Sequence, residues 1–175
     1  MSAILRWSLV LAAVLLPVSA KADTIFQATL TGAQEVPPNA STATGMATVV
    51  LNTAETMITV DLSWQDLTAP ATAAHIHGPA APGTNAPVIF AFSGVPSATT
   101  GMIPTQSFAI TPAQVADLEA GLYYINVHDA VFPGGEIRGQ LEEVQAAVPE
   151  TTSITLLGLG VAWLVGYRWR RRRAA

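Results

Sequence analysis

The chain has 175 residues, half of them hydrophobic and 11% charged, with no cysteine, and its formal charge of −4 conceals a strong segregation. All twelve acidic residues lie between Asp23 and Glu150, against Arg138 as the one basic residue there, so that stretch carries a formal −11. Such a surface repels phosphate backbones and excludes nucleic acid as a partner. The lack of cysteine, and of lysine beyond Lys21, excludes thiolate and Schiff-base chemistry.

Residues 1–22 carry Arg6, the apolar run Trp7 to Leu16, Pro17, and then Ala20-Lys21-Ala22. A short basic start, a short apolar run and a small-x-small end predict a signal peptide cut by signal peptidase after Ala22. The mature protein is then exported and starts at Asp23. An exported chain without cysteine relies on its core rather than on disulfides.

From residue 23 to 143 the hydrophobic period is two. Phe26, Ala28 and Leu30 alternate with Gln27 and Thr29, and Ile58, Val60, Leu62 and Trp64 alternate with Thr59, Asp61, Ser63 and Gln65. Both runs predict half-buried strands. Further strands are expected at Met46 to Leu51, Ala71 to His77, Val88 to Phe92, Leu122 to His128 and Glu136 to Leu141, separated by Pro/Gly turns such as Pro133-Gly134-Gly135. Thr111-Pro112-Ala113-Gln114 is a capping box with proline at the first helical position, so about two turns of helix are expected up to Gly121. The fold class that follows is all-β, an immunoglobulin-like sandwich with one short helix.

Residues 144–153 read as a linker, 154–167 as a hydrophobic anchor helix and 168–175 as a basic cytoplasmic tail. The apolar run is short for a span, but snorkelling arginines extend it, and the positive-inside rule leaves the β domain outside.

The chemistry concentrates on the histidines. His75 and His77 are two apart on a predicted strand, which puts both on one face about 7 Å apart, near the reach of one metal ion. His128 ends another strand, sharing its face with Tyr124 and Asn126, and supplies a third ligand if the strands approach. Copper or zinc would suit such a site. The alternative is that the histidines simply hydrogen-bond neighbouring loops. No nucleophile elbow, paired carboxylates or calcium loop emerges, so no catalytic residue is assigned. Arg138 shares a strand face with Glu136 and Gln140, and a structural ion pair is the expectation for it.

Two resemblances follow from longer motifs. Val148-Pro149-Glu150, the Leu157-Gly158-Leu159-Gly160 helix and the terminal arginines resemble the PEP-CTERM sorting signal, with Thr151 where that family often has a second proline. This implies processing by an exosortase in a Gram-negative, exopolysaccharide-producing bacterium, through a transient membrane anchor. Leu30-Thr31-Gly32-Ala33-Gln34-Glu35-Val36-Pro37-Pro38, Ala74-His75-Ile76-His77-Gly78-Pro79-Ala80, Pro87-Val88-Ile89-Phe90, and Tyr124 to Asp129 followed by Pro133 to Leu141 resemble the CHRD domain. That likeness spans about residues 24–142 and implies an immunoglobulin-like sandwich without assigned enzymatic activity. The family pattern includes His75, His77 and His128. The His-x-His strand also resembles, more weakly, that of copper-zinc superoxide dismutases, whose fourth histidine and disulfide this chain lacks. The resulting expectation is a non-catalytic module of the cell envelope or matrix, binding exopolysaccharide or a surface protein. Its rival is a copper or zinc protein or metal-dependent enzyme using the three histidines.

Overall fold

The computed structural model of the chain describes residues 22–144 and Gly160. The expected signal peptide up to residue 21, the joint bearing Val148, Pro149 and Glu150, the anchor segment apart from Gly160, and the basic tail lie outside the described residues. Among the described residues, no helix is long and apolar enough to cross a membrane.

The elements follow as β1 (Thr24–Thr31), a 3-10 turn (Gly32–Gln34), β2 (Thr44–Leu51), β3 (Met57–Gln65), β4 (Ala71–His77), β5 (Val88–Ala91), β6 (Gly101–Ala109), α1 (Pro112–Glu119), β7 (Tyr124–Asp129), β8 (Ile137–Gln140) and the short β9 (Glu142–Glu143). Alternation decides the phase of the first strands. In β3, Ile58, Val60, Leu62 and Trp64 are buried while Met57, Asp61, Ser63 and Gln65 are exposed, as expected. In β1, Phe26, Ala28 and Leu30 face the same core. Each large apolar side chain withdrawn from water in this way contributes roughly 1.5–3 kcal/mol. Trp64 also satisfies its indole, whose Nε1–H donates to the Ala98 carbonyl at 3.1 Å.

The expected two-sheet sandwich takes a different form. All the described strands belong to one antiparallel sheet in the order β5-β4-β7-β8-β1-β2-β3-β6, with β9 also on β1. The reason is β1, which pairs with β2 along its whole length and is held on its other side by β8 at Thr31↔Arg138 and by β9 at Phe26↔Glu143. Gly139 permits this, because a Cβ there would meet the Thr29 carbonyl at 2.6 Å. The sheet then curls until its two ends face each other. The Phe108 ring from β6 meets Phe90 and Phe92 at 5.1 and 5.9 Å. Gln106 accepts from the Ser93 backbone N–H and donates to the Ser93 carbonyl. The fold is therefore a nearly closed, mostly β barrel-like sheet with one helix. A β-sandwich-like layering survives, since the two halves of that sheet share one core.

Helix α1 starts where the capping box places it. The Thr111 side chain accepts from the Gln114 backbone N–H, Gln114 answers the Thr111 N–H, and Val115 and Leu118 are buried. Strand β6 has no counterpart in the sequence reading. Pro104 interrupts it, beside a register shift opposite Val60 and Leu62. It sits at the sheet's edge, where a missing N–H is tolerated.

Candidate metal centre

Strands β4, β7 and β8 carry one apolar and one polar face. Ala74, Ile76, Ile125, Val127 and Ile137 enter the core. The alternate positions are His75 and His77 on β4, Tyr124, Asn126 and His128 on β7, and Arg138 and Gln140 on β8. Register brings them side by side as Ala73↔His128, His75↔Asn126↔Arg138 and His77↔Tyr124↔Gln140. An outer face would ordinarily be wet. Here the loops around residues 35, 79–87 and 130–136 fold over it, and every residue of β7 is buried.

The three predicted histidines converge, with one ligand nitrogen from each lying within 4.8 Å of the others. His77 Nδ1 lies 2.9 Å from the Ala86 carbonyl, and His128 Nδ1 lies 3.0 Å from the Pro133 carbonyl. A carbonyl only accepts, so both Nδ1 atoms carry the proton and both Nε2 atoms present lone pairs. His128 Nε2 faces His75 Nδ1 at 3.0 Å. His77 Nε2 is buried and has no hydrogen-bond partner. Leaving such a group unsatisfied costs on the order of 1–3 kcal/mol. A tetrahedral ion with ligand bonds of about 2.0–2.1 Å holds its nitrogens about 3.3–3.4 Å apart. One pair is already near that spacing, and the remaining closure is at most about 1.5 Å. Electrostatics also suit a ligand set. Burial, with the neighbouring His128 and His77, pushes His75 down to about 4. Burial likewise holds His77 and His128 below the ordinary imidazole value, so all three are neutral near pH 7.

The surroundings are built from sequence-distant parts. His77 stacks on Tyr124 at 4.9 Å with rings almost parallel. The Arg138 guanidinium lies 3.4 Å from the centre of the same Tyr124 ring. Arg138 is not ion-paired with Glu136, contrary to expectation. Its two terminal nitrogens donate to Asn85 Oδ1 and the Thr84 carbonyl, tying down the 79–87 loop. Glu136 instead accepts from the Thr68 N–H and hydroxyl and from Ser41. The displacement has a simple cause: Glu136 lies in the bend before β8 rather than in the strand, and its N–H donates to the Val127 carbonyl at 2.8 Å. Asp129 points away from the histidines and accepts from the Ala69 and Phe132 backbone N–H groups. Glu142 and Glu143 form the exposed β9.

Sequence reasoning assigned no role to two residues. Glu35, in the loop after the 3-10 turn, is only 5% exposed, and its carboxyl is pushed up to about 7 by burial, against the opposing pull of Arg138 and the Val36 backbone N–H. Asn126, 3% exposed, lies between the histidines and Arg138. Both leave a buried oxygen unpartnered, Glu35 Oε1 and Asn126 Oδ1. The Asn126 face was legible from its spacing to His128; nothing local in Gln34-Glu35-Val36 announces a buried acid.

The CHRD domain family model matches residues 26–141, about two thirds of the chain. No curated protein and no solved structure matches it. CHRD is a non-enzymatic domain family. The His-x-His strand, the β7 strand that carries His128 and the Gly-Gly-Glu-Ile-Arg-Gly-Gln segment leading through β8 all fall inside the matched region, and the chain belongs to the CHRD domain family.

Proposed function

We propose that this CHRD domain is a non-catalytic, metal-binding module that holds copper or zinc through His75, His77 and His128. The observation that carries the reading is the buried, unpartnered Nε2 of His77, aimed at two further neutral imidazoles. Carbonyls fix the tautomers of two of the three rings, a device that orients metal-ligating histidines generally. Hydrogen bonding to loops, the alternative role, uses Nδ1 of His77 and His128 and leaves their Nε2 atoms turned to the centre, that of His128 against His75 Nδ1. The segregated charge and the terminal segments support export and surface sorting, with signal peptidase and an exosortase as processing partners.

Calorimetry of zinc or copper binding to the tag-free chain tests the reading. Affinity should fall as pH drops, because protonated imidazole cannot ligate. Since burial lowers all three histidines, the fall should begin below the ordinary value of 6.5. His77→Ala should weaken binding by about 100-fold or more, whereas Asp129→Ala should leave it nearly unchanged, its carboxylate being committed to backbone N–H groups. Absent binding, or binding that survives replacement of all three histidines, refutes the site.

A further inference from the structure

The three buried atoms without partners, His77 Nε2, Asn126 Oδ1 and Glu35 Oε1, belong to one contiguous group. Asn126 neighbours His75 across the ladder and is diagonal to His77, on whose ring its amide acts. On the other side, Glu35 Oε1 and Asn126 Nδ2 both border the space that a Cβ on Gly135 would fill, which the missing Cβ and the positive φ of 126° leave open; any Cβ there would strike Glu35. Asn126 therefore lies between Glu35 and the histidine centre, with its Nδ2 on the Glu35 side and its carbonyl oxygen on the side of the centre.

Two arrangements satisfy this group. With the amide as it stands, Nδ2–H suits a Glu35 carboxylate, while Oδ1 and His77 Nε2 are two lone pairs with no hydrogen between them, which is the environment of a cation. With the amide turned by half a revolution, Nδ2–H caps His77 Nε2 and Oδ1 accepts a proton from neutral Glu35. The second arrangement blocks the ligand nitrogen and the first frees it. We infer that Glu35, acting through Asn126, is a positioning residue of the metal centre, and that loading the ion turns the amide and expels the Glu35 proton.

This inference rests on the metal-binding reading. The proton leaves from the carboxyl oxygen to solvent through a cleft of about 250 Å³ bordered by Glu35, Gln34, Pro38, Pro82, Gly83 and Arg138. Arg138, from β8, is the charged group acting on Glu35, and the neutral Asn126 faces it from β7. Burial already holds the carboxyl near neutrality, so a proton is present on it at pH 6.

The test is zinc calorimetry on the full chain in mild detergent, repeated in two buffers of different ionisation enthalpy to count protons released. At pH 6.0 the natural chain should release nearly one proton more than Glu35→Gln, and at pH 8.5 the two should release equal numbers. Asn126→Ala, which removes the bridge but not the acid, should also lose the pH 6.0 excess. At pH 8.5, Glu35→Gln should bind zinc about tenfold more weakly, as loss of a group behind a metal ligand does. Equal proton release by the natural chain and Glu35→Gln at pH 6.0, with zinc bound by both, overturns the inference and leaves the metal site standing. No zinc binding by the natural chain overturns both.

Discussion

Without metal, the histidine centre and Glu35 should pull stability in opposite directions between about pH 4.5 and 7, and replacing Glu35 should separate the two. His75 titrates near 4 in the fold and near 6.5 when exposed, so the unfolded chain binds more protons in that window. Its contribution is present above 6.5 and is lost as pH falls towards 4. Glu35 titrates near 7 in the fold against 4.5 in the exposed chain. Its contribution is present below 4.5 and is lost as pH rises through 7. At about 1.36 kcal/mol per pH unit, each displacement has an upper limit of about 3 kcal/mol. His75 keeps part of its ring in water, which reduces its share to about 1–2 kcal/mol, while the enclosed Glu35 retains about 2–3 kcal/mol. His77 and His128, also lowered by burial, pull in the same direction as His75, so in the natural chain Glu35 offsets only part of the histidines' combined dependence on pH. Glu35→Gln should match the natural chain at pH 4.5 and exceed it by about 2–3 kcal/mol at pH 7.5, with stability rising more steeply with pH. Urea unfolding followed by circular dichroism, in chelator at four pH values, reads both. A Glu35→Gln chain no more stable than the natural one at pH 7.5 would show that Arg138 keeps the carboxylate comfortably ionised.

Trp64→Ala should cost about 3–5 kcal/mol, and Trp64→Phe about 1 kcal/mol for the lost bond to Ala98, both measured by denaturant unfolding. A Trp64→Ala loss below about 1 kcal/mol would mean that the inward row of β3 is not packed as described. Residues 23–143 should unfold cooperatively on their own. Mass spectrometry of the native surface fraction should find Asp23 at the N-terminus and no peptides beyond Tyr167. Recovering Arg170 to Ala175 on the mature protein would leave only a plain membrane anchor.

Alternation made β1, β3 and β4 legible, because an inner and an outer face differ strongly in polarity along each of them. The Thr111 capping box announced α1 for an equally local reason. Strand β6 stayed hidden because Pro104 and a register shift spoil its period and only Ile103 is deeply buried. The shared face of His75 and His77 follows from spacing alone, but the arrival of His128 depends on the Ala73↔His128 register, a long-range property no single segment encodes. The Arg138–Glu136 pair was misjudged because period-two reasoning assumes that the strand includes Glu136, whereas β8 begins at Ile137 and Glu136 sits in the bend before it. Glu35 was invisible because its burial is imposed by Gly135 and Arg138, a hundred residues away in the chain.

The closure of the sheet by Phe90, Phe108, Ser93 and Gln106 bears on how copies of this chain behave when crowded together. A terminal strand with free backbone donors and acceptors invites another molecule to add to it, and repeated addition produces fibres. Here the two terminal strands, β5 and β6, are turned upon one another and joined through side chains, while Pro104 deletes a donor from one of them. The sheet thus withholds from neighbouring molecules the template that an open edge would offer, at the two places where its own ladder ends.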